Sequence, residues 1–218
     1  MKNPPTTRSG GTKSQRTRST ILDAAETLFA ERGFAATRLE DVADAVELTR
    51  AALFYYYGDK QTLYDAMLEH AFEPLTTQLD RVLSEEGATV TDRIEQSVEA
   101  WVDVVTGRPT LARLILRIVA DGAEQPANGV MSDSNRIPMM FWALFEQGRK
   151  SGEFHPVHDD PFHAASAVIG TSVFYVAALA ALVPHGQFQP LDPQQIAAHK
   201  KEALNATRHL LGIPRRDD

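Results

Sequence analysis

The chain has 218 residues, 43% of them hydrophobic, enough to bury a core in one large domain or in a small domain joined to a larger one. It contains no cysteine, which excludes a disulfide framework, a thiol nucleophile and a cysteine-ligated zinc site. The formal charge of −7 is unevenly spread: residues 1–20 carry five basic side chains and no acid, whereas residues 61–218 carry 13 basic and 21 acidic ones.

The leading segment is rich in Ser, Thr, Gly and Pro and has no apolar run, so it reads as a flexible basic arm over residues 1–18 and not as a secretory signal. An acidic body with a basic leading end fits a nucleic-acid binder whose contact surface is small and terminal; a solvated tail on an ordinary acidic protein fits the same counts. Ile21, Leu22, Ala25, Leu28 and Phe29 then form one helical stripe, closed by Gly33 in a left-handed turn over which Phe34 folds back. Thr37 with Glu40 gives a capping box for a short helix through Leu39, Val42, Ala43 and Val46. Thr49 caps a second short helix that Gly58 ends, and the pair is a helix-turn-helix candidate.

Asp59 caps a longer helix through Leu63, Met67, Phe72 and Leu75, with Pro74 bending it rather than stopping it. Further stripes follow: Ile94, Val98, Trp101, Val102 and Val105, then Leu111, Leu114, Ile115, Ile118 and Val119. A polar, Gly- and Pro-broken loop covers 121–135, after which Ile137, Phe141, Leu144 and Phe145 open a helix closed by Gly152. Residues 164–183 hold no charge and are long enough to span a bilayer, but their flanks lack the Lys and Arg of an anchor; Ala, Gly, Ser and Thr there suit close helix approach within or between subunits. Asp192-Pro193 starts a final amphipathic helix ending near Gly212. The fold class expected is all-α, with about nine helices and no strand.

Chemistry is sparse. His155, His158, Asp159, Asp160 and His163 have metal-ligand side chains, but Asp160-Pro161 repeats the Asp-Pro helix start, so Asp160 reads as a cap and no metal is expected. There is no G-x-S-x-G, H-E-x-x-H or phosphate-cradling glycine loop, so no catalytic residue and no cofactor is assigned. In the middle helices Trp101, Phe141, Trp142, Phe145, Phe174 and Tyr175 are candidates to line a ligand cavity, with Arg113 and Arg117 one turn apart as an anchor for an acidic group. Ordinary core packing and solvated arginines are the competing reading.

Phe54, Tyr55, Tyr56 and Tyr57 are consecutive, and side chains turning by about 100° per residue cannot share one buried face. Leu53 and Tyr57 are expected inward, Tyr55 and Tyr56 outward. Residues 21–64, through Ile21, Ala25, Leu28, Phe29, Gly33, Thr37, Val42, Ala43, Leu48, Thr49, Leu53, Lys60 and Leu63, resemble the N-terminal DNA-binding domain of the TetR family of bacterial transcriptional regulators. That resemblance implies a helix-turn-helix domain at 19–62 and a helical effector-binding and dimerisation domain at 63–218, the homodimer built on about 162–183 and 194–211. It implies a cytoplasmic repressor of a double-stranded DNA operator, released by a small-molecule effector and not membrane-bound. The DNA-binding residues it implies are Thr37, Arg38, Thr49, Arg50, Ala51, Ala52, Phe54, Tyr55, Tyr56 and Lys60. Three positions depart from the family pattern: Glu47 and Ala51 where glycine is usual, and Phe54 where tyrosine is usual. A small-molecule-modifying helical enzyme sharing the leading helices is the alternative.

Overall fold

The computed structural model describes residues 10–121, 136–179, 182–183 and 188–214. Regular structure among them is helical: α1 (Gly10–Ala36), α2 (Leu39–Ala45), α3 (Arg50–Tyr56), α4 (Lys60–Leu83), α5 (Val90–Gly107), α6 (Pro109–Ala120), α7 (Arg136–Ser151), α8 (Phe162–Phe174) continuing into a π-helical turn (Tyr175–Leu179), and α9 (Pro193–Leu211). Of the basic segment, residues 1–9 lie outside the described residues, as does 122–135 of the expected loop. From Gly10 onward the segment is the first part of α1 rather than a flexible arm. The turns before Ile21 extend a helix already anchored by packing, so they need no nucleus of their own. Thr17 and Thr20 donate back to the Lys13 and Arg16 carbonyls at 3.0 Å.

Gly33 breaks α1 with φ 78° and ψ 171°, an extended positive-φ conformation rather than the left-handed helical one expected. Phe34 does fold back, its ring centroid 6.0 Å from Phe29 and 5.0 Å from Tyr64. The capping pattern sits one residue later than Thr37 and Glu40 suggest: the Arg38 N–H donates to Asp41 Oδ2 at 3.1 Å. Thr37 instead turns its hydroxyl back to the Gly33 carbonyl at 2.8 Å, satisfying an orphan acceptor at the end of α1. At the other end of the motif, α3 stops because Tyr57 is extended (φ −138°, ψ 113°), and Gly58 is not left-handed.

Two apolar clusters result. In the first, Ile21, Ala25, Phe29, Val42, Ala43 and Leu53 pack on Leu63, Met67 and Leu68 of α4 and on Leu111 and Leu114 of α6. The second gathers Leu75, Leu79 and Leu83 of α4 with Ile94, Val98, Trp101, Val102, Val105, Phe145, Val168, Val173 and Leu211. Helix α4 runs through Pro74 and supplies both clusters, spanning the division between residues 62 and 63.

Polar contacts tie α6 to α1 along its length. Glu26, 2% exposed, accepts from Arg108 Nε at 3.0 Å and also from Arg108 Nη2 and the Thr110 hydroxyl. Asp23 Oδ1 takes Arg108 at 3.4 Å and His70 Nε2 at 2.9 Å. Two turns further along α6, Arg117 Nη2 donates to the Glu31 carbonyl at 2.9 Å.

Candidate nucleic-acid interface

The turn between α2 and α3 is held by the Leu48 N–H on the Ala43 carbonyl at 2.9 Å and the Glu47 N–H on Asp44 at 3.2 Å. Glu47 sits at its apex with φ 55°, so the acid adopts the conformation for which glycine is usual, at a cost on the order of 1 kcal/mol. Thr49 caps α3, its hydroxyl accepting from the Ala52 N–H at 3.1 Å. Burying Leu53 (0% exposed) and Tyr57 (5%) fixes the rotation of α3 and turns Tyr55 outward at 83% exposure.

The outer face so formed carries Thr49, Arg50, Ala51, Phe54 and Tyr55, all exposed, while Ala52 and Tyr56 are half-buried. The Tyr55 and Tyr56 rings meet edge to face at 5.6 Å, and the Arg18 guanidinium of α1 lies 5.7 Å from the Tyr56 ring centroid. Arg18 also draws the Tyr57 phenol down, but burial outweighs it and leaves that group above its ordinary value. Arg50 is not free in solution: its Nε lies 2.9 Å from Glu40 Oε1 and its Cζ 5.3 Å from the Phe54 centroid. The Glu40 partnership is invisible in the sequence, because it depends on the angle at which α2 crosses α3.

Arg38 is exposed just ahead of α2. Thr37 is a correction: it is 1% exposed, with its hydroxyl spent on backbone carbonyls, and has nothing to offer a phosphate. Lys60 opens α4 beside Asp59, whose carboxylate accepts from the Thr62 N–H at 2.7 Å and is held below its usual range by that bond. The Lys60 ammonium donates to the Ala35 carbonyl at 3.2 Å and sits 4.4 Å from the Phe34 ring centroid; partial burial pushes its pKa down. Its charge is therefore fixed in place by the end of α1.

The residues expected to line a ligand cavity are divided between the second core and the surface. Trp101 and Phe145 belong to the second core, with Phe141 and Tyr175 packed against it. Trp142 and Phe174 are exposed, Trp142 meeting Phe162 at 5.6 Å. Arg117 is turned to α1 through the Glu31 carbonyl, and Arg113 is exposed. The Tyr175 ring stacks on His199 at 4.1 Å, and the Trp101 Nε1 and Tyr175 hydroxyl are buried without a hydrogen-bond partner. Asp160 caps the start of α8 by accepting from the Phe162 N–H at 2.8 Å, and no three metal-binding side chains cluster among the described residues.

Residues 21–67 match the family model described as bacterial regulatory proteins, tetR family. Among curated relatives, the biofilm operon negative transcriptional regulator IcaR of Staphylococcus epidermidis is 38% identical over 52 residues, 24% of this chain and 28% of that protein. The transcriptional repressor KstR2 of Rhodococcus jostii is 36% identical over 75 residues, 34% of this chain and 36% of that protein. The chain thus matches only 28% and 36% of the length of these two relatives. Solved structures extend the likeness in fold. The ketosteroid regulator KstR2 of Mycobacterium tuberculosis superposes with TM-score 0.68 at 20% identity over 91% of this chain and 95% of that one. AibR, solved with isovaleryl coenzyme A and operator DNA, gives TM-score 0.69 at 20% identity over 91% of this chain and 100% of that one.

Proposed function

The chain carries the N-terminal segment of the tetR family of bacterial regulatory proteins at residues 21–67, and on that premise we propose that it is a homodimeric transcriptional repressor, released from a palindromic operator by a small molecule. One observation carries the reading: α3 is capped by Thr49, locked in rotation by Leu53 and Tyr57, and turns Arg50, Phe54 and Tyr55 outward. A helix so held presents a fixed set of side chains to the major groove, where arginine reads guanine and an aromatic ring meets thymine methyl groups and sugars. Phosphate contacts are assigned in this reading to Thr49 and Arg38, which are exposed, and to Lys60, held by the Ala35 carbonyl, with Arg16 and Arg18 extending the basic surface along α1.

A second subunit is assigned to the outer faces of α8 and α9, within about 162–183 and 194–211, of which residues 180–181 lie outside the described ones. The stretch Phe162–Leu179 is long and apolar enough to cross a membrane, yet only 28% of it is buried in the single chain. Phe162, Ile169, Phe174 and Leu182 are exposed on this side, and covering them with a second copy needs no bilayer. Two α3 helices related by that symmetry would meet successive major grooves about one DNA turn apart. The effector acts by binding the two dimer spacings unequally, in the body formed by α4 to α9. Relatives named as repressors, and AibR holding both a ligand and operator DNA, support this over an enzymatic role and favour a cytoplasmic protein.

Selection of the purified protein on a randomised duplex library, with the winner retitrated across salt concentrations, tests the reading. A two-fold palindrome whose affinity falls steeply with salt is expected. Weak binding without sequence preference overturns it.

A further inference from the structure

We propose that Glu40 is a positioning residue for base reading: it holds Arg50 as an end-on guanine reader and keeps it from wandering to phosphate. The inference rests on the operator-binding reading above. Glu40 lies in the first turn of α2 and Arg50 opens α3, and the crossing of the two helices brings Glu40 Oε1 to 2.9 Å from Arg50 Nε. From a second direction Phe54, one turn along α3, places its ring 5.3 Å from the guanidinium carbon. Both charged side chains stay open to solvent, 65% for Arg50 and 44% for Glu40.

A guanidinium paired with a carboxylate on its Nε side keeps its terminal Nη1 and Nη2 for a partner, and their two parallel N–H bonds match guanine O6 and N7. An unrestrained arginine loses much of its rotamer freedom when it docks; one already held by a carboxylate and a ring has lost part of it on folding. The carboxylate also acts on the wrong partners. A fixed negative charge beside the reading side chain repels the phosphate backbone, so docking that gains no base contact is penalised while docking with guanine offsets the repulsion. Glu40 therefore lowers total affinity and raises discrimination, which explains an acid on the face of a protein whose ligand is a polyanion.

Full-length wild type and E40Q, first compared by circular dichroism and thermal midpoint, are put through the duplex selection. Each is then titrated over a salt series on the winning duplex, on that duplex with each guanine replaced in turn, and on a scrambled duplex. E40Q is expected to keep its fold, to lose about tenfold discrimination at one guanine per half-site, and to bind the scrambled duplex several-fold more tightly. Its log–log salt slope on the scrambled duplex should steepen by about one per subunit as Arg50 moves to phosphate. R50K, which keeps the charge without the fork, should lose preference at the same guanine. An E40Q protein with the wild-type guanine preference and salt slope overturns the proposal, and so does an R50K protein with wild-type selectivity. A wild type that selects no sequence overturns the operator reading as well, which separates that failure from a failure of Glu40 alone.

Discussion

Where α6 meets α1, charge lies inside and is satisfied: the Glu26 carboxylate, 2% exposed, is closed over by Arg108 and Thr110, with Arg117 fastened to the Glu31 carbonyl beyond it. The outer side of α8 is the reverse, apolar and uncovered, with Phe162 61% exposed, Phe174 48% and Ile169 43%. The first contact is complete within one chain. The second leaves apolar rings open in the single chain, and it is the face to which a second copy is proposed to dock, with the small residues Ala165, Ser166 and Gly170 on its exposed side leaving room for close approach. The contrast teaches that buried polar groups here mark a joint completed within the chain, whereas the exposed apolar ones are the ground on which the second copy is proposed.

The joint breaks most severely at Arg108. Arg108→Ala strands the Glu26 carboxylate, and a loss of about 3 kcal/mol is expected in urea unfolding. Gly33→Ala should cost about 2 kcal/mol, since φ 78° with ψ 171° is a glycine conformation and the added carbon would come within 3.1 Å of Arg117 Cδ; the same unfolding experiment checks it. On the open side the expectation inverts. At Gly170 nothing lies within 4 Å of an added carbon, so Gly170→Arg should leave the single chain as stable as before or up to about 1 kcal/mol more so. The same change should weaken dimerisation at least tenfold by sedimentation, about 1.4 kcal/mol, and unaltered association would place the interface elsewhere.

Smaller effects sharpen the picture. Thr49→Ala removes the cap of α3 and should cost about 1 kcal/mol of stability, with operator affinity falling further than stability alone requires. His199, bonded to Ser172 Oγ at 3.0 Å where α8 meets α9, has its pKa lowered by burial. The unfolded chain then takes up the proton first, so this contribution to stability is complete above pH 6.5 and declines as the pH falls through 6.5 towards the folded value. His199→Gln should flatten that part of the stability–pH curve.

The leading helices were legible because their signals are local. A rotation of about 100° per residue already separates Leu53 from Tyr55, and the Thr49 and Asp59 caps need only residues three further on. Thr37 with Glu40 matches the capping-box rule, whereas Arg38 with Asp41 does not, yet the bond made runs from the Arg38 N–H to Asp41. Packing of Val42 and Ala43 into the first core chooses between them, and leaves Thr37 to close α1. The turn of Arg117 toward α1 is not legible for a related reason. Spacing says that Arg113 and Arg117 share a helix face, but not that the neighbour on the Arg117 side is α1 and not a cavity.

By itself the sequence determined the helical class, the helix-turn-helix and its outward tyrosine, since all of these follow from short-range periodicity and capping chemistry. Only the tertiary structure decided that α4 and α6 serve both cores, that Glu26 is the buried hub of the joint between α1 and α6, and that Arg50 is paired with Glu40. Those facts depend on the angles at which helices cross, and such angles are set by many weak contacts distributed over the whole chain and legible in no single stretch of it.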